Sequence, residues 1–313
     1  MNRLRKLVFF LLIVPTFLQA QTLDEKLREI DDYANTVMTT WKGPGMAIAV
    51  IKDDKVAFQK GYGTRELGKE APVDRDTLFA IASNSKAFTT ASLAILVDEK
   101  KLAWDDKVSK YLPDFQMYDP WVTSELTVRD LVTHRIGLDT FSGDLLWYET
   151  TYSPDEILKR VRYLKPVSSF RTRFGYQNLM FIAAGKVVEK VSGKSWCAFV
   201  TERILTPLAM SRTTCSVNNL PDNAAWPHNE SGGTLRRLHR GDVDGSSSAA
   251  ALNSSVADLS KWVRTQLARG KFEGKQIFSE EQAWAMHQQW LAQQVGPSNT
   301  PGIQPRHFSG VGM

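Results

Sequence analysis

The stretch "FAIASNSKAFTTASLAILVDEKKL", residues 79–102, decides how the chain is read. It changes character at Ser83. Small and apolar residues precede that point, and a long segment without Gly or Pro follows it, apolar enough to be a buried helix. Two hydroxyls and a cation, in Ser83-Asn84-Ser85-Lys86, stand at the mouth of that helix. Ser83 and Lys86 are three apart, so a helix beginning near Ser83 stacks them on one face. A serine hydroxyl is a poor nucleophile at neutral pH and needs a neighbouring base. A lysine at this offset serves if burial lowers its pKa. The same tetrapeptide also fits a Ser N-cap with a solvated Lys, and the spacing alone leaves both readings open.

Upstream, "TLDEKLREIDDYANTVMTTW" (22–41) reads as an amphipathic helix with Leu23, Leu27, Ile30, Tyr33, Ala34 and Val37 on one stripe. "GPG" (43–45) ends it. "MAIAVIKDDKVAFQKGYG" (46–63) then reads as a hairpin turning at Asp53-Asp54-Lys55, and its first strand, apolar on both faces, predicts cover on both sides. Downstream, helical spacing recurs over 85–101, 127–134, 154–163, 179–192, 195–205, 255–268 and 279–291. "TLRRLHRGD" (234–242) is the one locally basic stretch and reads as a solvated loop. The Pro- and Gly-rich tail over 294–313 reads as the start of a return to strand.

The first twenty residues, a basic "MNRLRK", an apolar run broken by Pro15 and a terminal Ala20, predict a signal peptide cut after Ala20. The run is shorter than a membrane span requires. An exported, periplasmic or secreted product is therefore expected, with residues 21–313 forming one domain: a helix and hairpin over 21–80, a helical block over 81–293, and a shortened return to the sheet. Removing the leader takes away Arg3, Arg5 and Lys6 and no acid, which lowers the formal charge from +5 to +2. The basic balance thus belongs partly to the leader, and no nucleic-acid partner is implied. Cys197 falls inside a helical pattern, where a buried thiol is the expected state, and eighteen positions separating it from Cys215 do not establish a bridge. No spacing resembles a zinc or calcium site, and neither metal nor cofactor is expected.

A second group of candidate residues lies in "RFGYQNLMFIAAGKVVEKVSGKSW" (173–196), where Tyr176 and Asn178 precede an apolar helix. A tyrosine near a cationic lysine can have its pKa depressed and act as a base, and an Asn amide can bond a substrate amide. The alternatives are a packed aromatic and a helix cap.

Taken together, Ser83-x-x-Lys86 and Tyr176-x-Asn178 resemble the first two motifs of the serine beta-lactamase and penicillin-binding superfamily, in its class C beta-lactamase, DD-peptidase and esterase-like branch. The hairpin at 46–63, "LTVRDLVTHRIGL" (126–138), "ILTPLAMSRT" (204–213) and "LNSSVADLSKW" (252–262) are similar to further family segments in the right order. The resemblance implies an α/β (α+β) fold, a large helical subdomain packed on an antiparallel sheet that is incomplete at the C-terminus. It implies acyl transfer from a small molecule or peptide bearing an amide or ester carbonyl. Ser83 would be the nucleophile, Lys86 and Tyr176 would manage its proton, and Asn178 would bind substrate.

Departures from the family pattern are specific. The third motif, Lys-Thr-Gly or His-x-Gly on a strand beyond the "LNSSVADLSKW" segment, does not occur in residues 263–313, so half of the expected oxyanion hole is unaccounted for. Arg135-Ile136 replaces Thr-Ser before Gly137, and "SSFRTRF" (168–174) replaces a Pro-Gly before Tyr176. A non-catalytic descendant that binds cell-wall peptide or a protein partner, and an unstable gene fragment, are the readings that the missing motif leaves open.

Overall fold

The computed structural model describes residues 21–294 and 308–311. The predicted leader lies outside them. Helix α1 (Leu23–Trp41) opens on a capping box in which Thr22 and Glu25 satisfy each other's backbone N–H groups. Strands β1 (Gly45–Lys52) and β2 (Lys55–Gly63) form the expected hairpin. Asp53 and Asp54 both have positive φ, 50° and 58°, which gives the turn the twist that suits a two-residue hairpin. A short strand β3 (Phe79–Ala80) leads to α2 (Ser85–Asp98). Short helices α3 (Pro120–Glu125), α4 (Val128–Leu131) and α5 (Pro154–Arg160) follow. Then come α6 (Leu179–Ser192) and α7 (Trp196–Val200), which runs on as a π turn over Thr201–Leu205. Hairpin β4 (His228–Ser231) and β5 (Thr234–Arg237) precedes α8 (Ser247–Ala250), β6 (Asn253–Ser254) and α9 (Val256–Leu267). The described part closes with a small hairpin of β7 (Lys271–Phe272) and β8 (Lys275–Gln276), then α10 (Glu280–His287), β9 (Leu291–Gln294) and β10 (Phe308–Val311), the last two paired antiparallel.

Helix α2 is apolar around most of its circumference and accordingly sits inside the helical block, against α6, α7, α8 and α10. Phe88, Leu93, Ala94 and Leu96 on it are completely buried, and Phe88 stacks on Trp262 of α9 at 4.3 Å. Each such large side chain contributes about 1.5–3 kcal/mol. Helix α6 approaches α8 so closely that a Cβ on Gly185 would stand 2.4 Å from the Ser248 hydroxyl oxygen. That hydroxyl donates to the Phe181 carbonyl, and Thr89 donates to the Ser248 carbonyl, so α2, α6 and α8 are stitched into one unit.

Four expectations need correction. Strand β1, expected to be covered on both faces, is half-buried along its apolar length with α9 packed against it, while the named strands of the described residues pair two by two and antiparallel, as an α+β fold requires. On α1, Ala34 is buried but Tyr33 and Leu23 are exposed, because the helix rests on β2 along a narrower seam than its apolar stripe. The basic stretch is not all loop. Residues 234–237 form β5 after Gly232-Gly233, both at positive φ, and Arg240 is half-buried.

Fourth, Cys197 and Cys215 are joined in a disulfide across a separation of 18 residues. Helical spacing around Cys197 carries no information about a residue that far on. What brings Cys215 alongside is the exchange of backbone hydrogen bonds between Thr214 and Asn253, which pins that loop to β6. Closing a loop of this length is worth about 3 kcal/mol. The double variant Cys197→Ser/Cys215→Ser should melt roughly 5–10 °C lower than the parent in a thermal scan. A reductant should lower the parent's melting temperature and leave the variant's unchanged.

Candidate active site

The nucleophile candidate sits on a strained turn. Strand β3 pairs with β6, and Ile81 N–H donates to the Leu252 carbonyl. Ala82 then takes a φ of 46°, a left-handed conformation that costs a residue with a Cβ about 1 kcal/mol or more. A 3-10 turn over Ala82–Asn84 follows before α2 begins. The Ser85 hydroxyl ties the bend down, donating to the Ala82 carbonyl at 2.7 Å and accepting from Leu252 N–H at 3.0 Å. Ser83 is thereby held outward and exposed, while Lys86 one turn on is 7% exposed. Ser83 is not the helix cap: its Oγ lies 3.1 Å from Lys86 Nζ, and Asn84 stands at the cap position without a side-chain capping bond.

Lys86 Nζ has two further partners, Asn178 Oδ1 at 2.7 Å and the Ala249 carbonyl at 2.9 Å. The first comes from the start of α6 and the second from α8, the two elements that Gly185 lets approach each other. Burial pushes the Lys86 amine down to about 8, against the opposing pull of the Asp144 charge. Nζ also lies 4.9 Å from the centre of the Tyr176 ring. That ring stacks on His134 at 4.5 Å and meets Phe141 edge-on. Tyr176 does not have the depressed pKa expected from its cationic neighbour. Burial raises it, the nearby Ser83 hydroxyl draws it the other way, and the Asp144 charge raises it further. Within this group the readily deprotonated base is therefore Lys86.

Asn178 also departs from the simple picture of a substrate-binding amide or a cap. It makes no side-chain cap bond. Its Oδ1 accepts from Lys86 while its Nδ2 donates to Asp144 Oδ2 at 2.9 Å, so both ends of the amide are engaged. Asp144 escaped the sequence reading. A carboxylate can only accept, so it fixes the NH₂ end of the amide toward itself and the oxygen end toward Lys86. Trp147 Nε1 holds its other oxygen at 3.0 Å. The one local signal is "SGDLLW" (142–147), in which Gly143 takes a φ of 83° just before the acid. Because the Asp144 charge favours the ammonium form of Lys86, Asp144→Asn should let Lys86 lose its proton at lower pH. The acidic limb of a kcat/KM profile should move down by roughly 0.5–1 pH unit.

His134 is the other residue that sequence reading left aside. Its buried Nδ1 accepts from Gln177 N–H at 3.0 Å, and burial, aided by the Lys86 charge, pushes it down to about 4. It is thus a neutral support under Tyr176. The chain passes so tightly here that a Cβ on Gly175 would stand 2.0 Å from the Leu138 carbonyl oxygen.

Residues 30–311 match the family model described as Beta-lactamase. The chain belongs to the beta-lactamase family. It is 31% identical over 296 residues to the unguisins hydrolase ungD' of Aspergillus campestris, covering 89% of this chain and 53% of that one. The chain thus spans about half the length of the curated relatives it matches. Among solved structures, the octameric penicillin-binding protein homologue from Pyrococcus abyssi superposes with a TM-score of 0.76 at 24% identity, over 91% of this chain and 63% of that one. EstCE1, described as a hydrolase with promiscuous acyltransferase activity, gives 0.75 at 18% identity, over 87% and 78%. These likenesses show the beta-lactamase/transpeptidase-like fold, mixed α+β.

Within that family, two departures noted above meet at one carboxylate. Asp130 is completely buried and pairs with Arg135 at 3.0 Å and Arg171 at 2.6 Å. Burial opposes its ionisation, but hydrogen bonds from Arg171 and Thr127 outweigh that and hold the carboxyl below its ordinary value. Arg135 stands in place of the usual Thr, and Arg171 lies in the segment that replaces Pro-Gly. Together they fasten the His134 loop to the Tyr176 loop.

Proposed function

We propose that the chain is an exported serine hydrolase that transfers acyl groups from amides or esters through Ser83. The observation that carries this reading is the arrangement around Lys86 Nζ. A neutral amine has two N–H bonds and one lone pair. Asn178 Oδ1 and the Ala249 carbonyl are the two acceptors, and Ser83 Oγ is the remaining partner, so the lone pair points at the serine proton. Lys86 takes that proton as Oγ bonds to the substrate carbonyl carbon. The oxyanion meets the Ser83 N–H, which lies in the first turn, where amides lack an intrahelical acceptor. Collapse breaks the bond to the leaving group, which receives the proton held by the Lys86 ammonium, directly or through the Tyr176 phenol, which takes that proton as it gives up its own. Water then attacks the acyl-enzyme carbonyl carbon and gives a proton to the now neutral Lys86; the bond to Oγ breaks, and Oγ takes that proton back to regenerate Ser83. The second N–H of Asn178 remains for a substrate carbonyl.

Relatives support the reaction class: one is named a hydrolase of unguisins and another a hydrolase with acyltransferase activity. The leader pattern in residues 1–20 and the Cys197–Cys215 disulfide, a bond of oxidising compartments, support export. The test is a panel of p-nitrophenyl butyrate, nitrocefin and a D-alanyl-D-alanine peptide. Turnover of at least one above background is expected. A protein that melts cooperatively yet turns over none would overturn the reading.

A further inference from the structure

The basic stretch at 234–242 contributes a residue that the acyl-transfer site does not use. A cavity of about 260 Å³ is walled by Leu78, Phe79, Val217, Leu220 and Trp226, with Arg240 as its cation. The Arg240 guanidinium carbon lies over the Trp226 ring, 3.7 Å from its centre. Its Nη2 donates to the Ala224 and Ala225 carbonyls at 3.0 and 3.3 Å, while its Nε is buried and has no acceptor among the described residues. Arg237 packs against the same indole at 4.2 Å. Arg237 is paired with Glu66 at 3.2 Å, whereas Arg240 has no ion-pair partner among the described residues. The acids next along the chain form no ion pair with Arg240: Asp242 accepts from Asn218 and Asp244 from Ser216. The Arg240 Nη1 N–H groups, which are not buried, also have no acceptor among the described residues, and an anion in the cavity would accept from them.

We propose that this cavity is a binding site for a small apolar carboxylate, with the head group on Arg240 and the tail against Leu78, Phe79 and Leu220. Three features set the ligand class. The walls other than Arg240 are mainly apolar, which disfavours a phosphate or a sugar. The uncompensated charge favours an anion over a neutral lipid. The volume lies just below the range of about 300–1,000 Å³ usual for ligand pockets, which limits the occupant to a short chain or a single ring. Phe79 and Ala80 belong to β3, which runs three residues later into the Ser83 turn. The pocket wall and the nucleophile's turn are therefore one continuous stretch of chain.

Calorimetric titration of the full chain with hexanoate, and with uncharged hexanamide, tests the site. Hexanoate should bind saturably and about 10-fold or more tighter than hexanamide. Arg240→Gln should remove that preference. Val217→Trp, which fills the cavity and leaves the arginine in place, should block both ligands, and a melting curve on each variant confirms folding. Ser83→Ala should bind hexanoate as the parent does, so the result is independent of acyl transfer. No binding of hexanoate up to about 10 mM, equal affinity for acid and amide, or unchanged hexanoate binding in Arg240→Gln would each overturn the proposal.

Discussion

Ser83→Ala is expected to cut turnover by on the order of 10⁴-fold or more, leaving only what binding and oxyanion stabilisation supply without a nucleophile. The change removes one exposed hydroxyl oxygen, which lies 3.1 Å from Lys86 Nζ and close to the Tyr176 phenol. Its effect on folding should stay within about 0.5 kcal/mol, as for other surface substitutions away from packed or strained groups. Loss of rate with an unaltered melting curve separates chemistry from structure. A parallel loss of both would mean that the serine hydroxyl holds the strained Ala82 turn instead. The structure assigns that duty to Ser85, whose hydroxyl bridges Ala82 and Leu252.

Lys86→Met should be nearly as damaging, with a loss of roughly 10³-fold, the scale of a missing general base. Methionine keeps the length and fills the space but leaves Asn178 Oδ1 and the Ala249 carbonyl without their donor, at a stability cost of about 1–3 kcal/mol. The diagnostic readout is therefore pH dependence. With the parent amine at about 8, kcat/KM should rise with pH through that value, because only the neutral amine accepts the serine proton. At pH 6 about 1% of the amine is neutral, so activity there should be on the order of 100-fold below its alkaline plateau. In Lys86→Met that limb should vanish. Asp144→Asn should displace it downward, a shift in the opposite sense to one caused by further negative charge on the site.

How much of this was legible in the sequence depends on the range of the interaction. The hairpin turn at Asp53-Asp54 and the stacking of Ser83 on Lys86 are local, set by spacing and by backbone chemistry. The Lys86–Asn178 contact spans 92 residues; similarity of motifs placed both residues in one site but assigned Asn178 to the substrate and not to Lys86. Asp144, which fixes that amide, lies 34 residues before Asn178 in a segment with no periodic signal, and so went unread. The Tyr176 pKa had the wrong sign because charge can be counted along a chain, whereas burial exists only after folding. The same limit hid the Cys197–Cys215 bridge, which depends on Thr214 pairing with β6. Arg240 shows it again: a basic stretch looks solvated until one of its guanidiniums is found over a tryptophan ring.

The most direct test of the Ser83–Lys86 pair is covalent. The folded chain is incubated with a fluorophosphonate across a pH series, and the adduct is located by peptide mass spectrometry. A single adduct on Ser83, forming faster as pH rises through about 8 and absent in Ser83→Ala, is the predicted result. Folded protein that takes up no probe, or that carries it on another residue at a rate indifferent to pH, would contradict it.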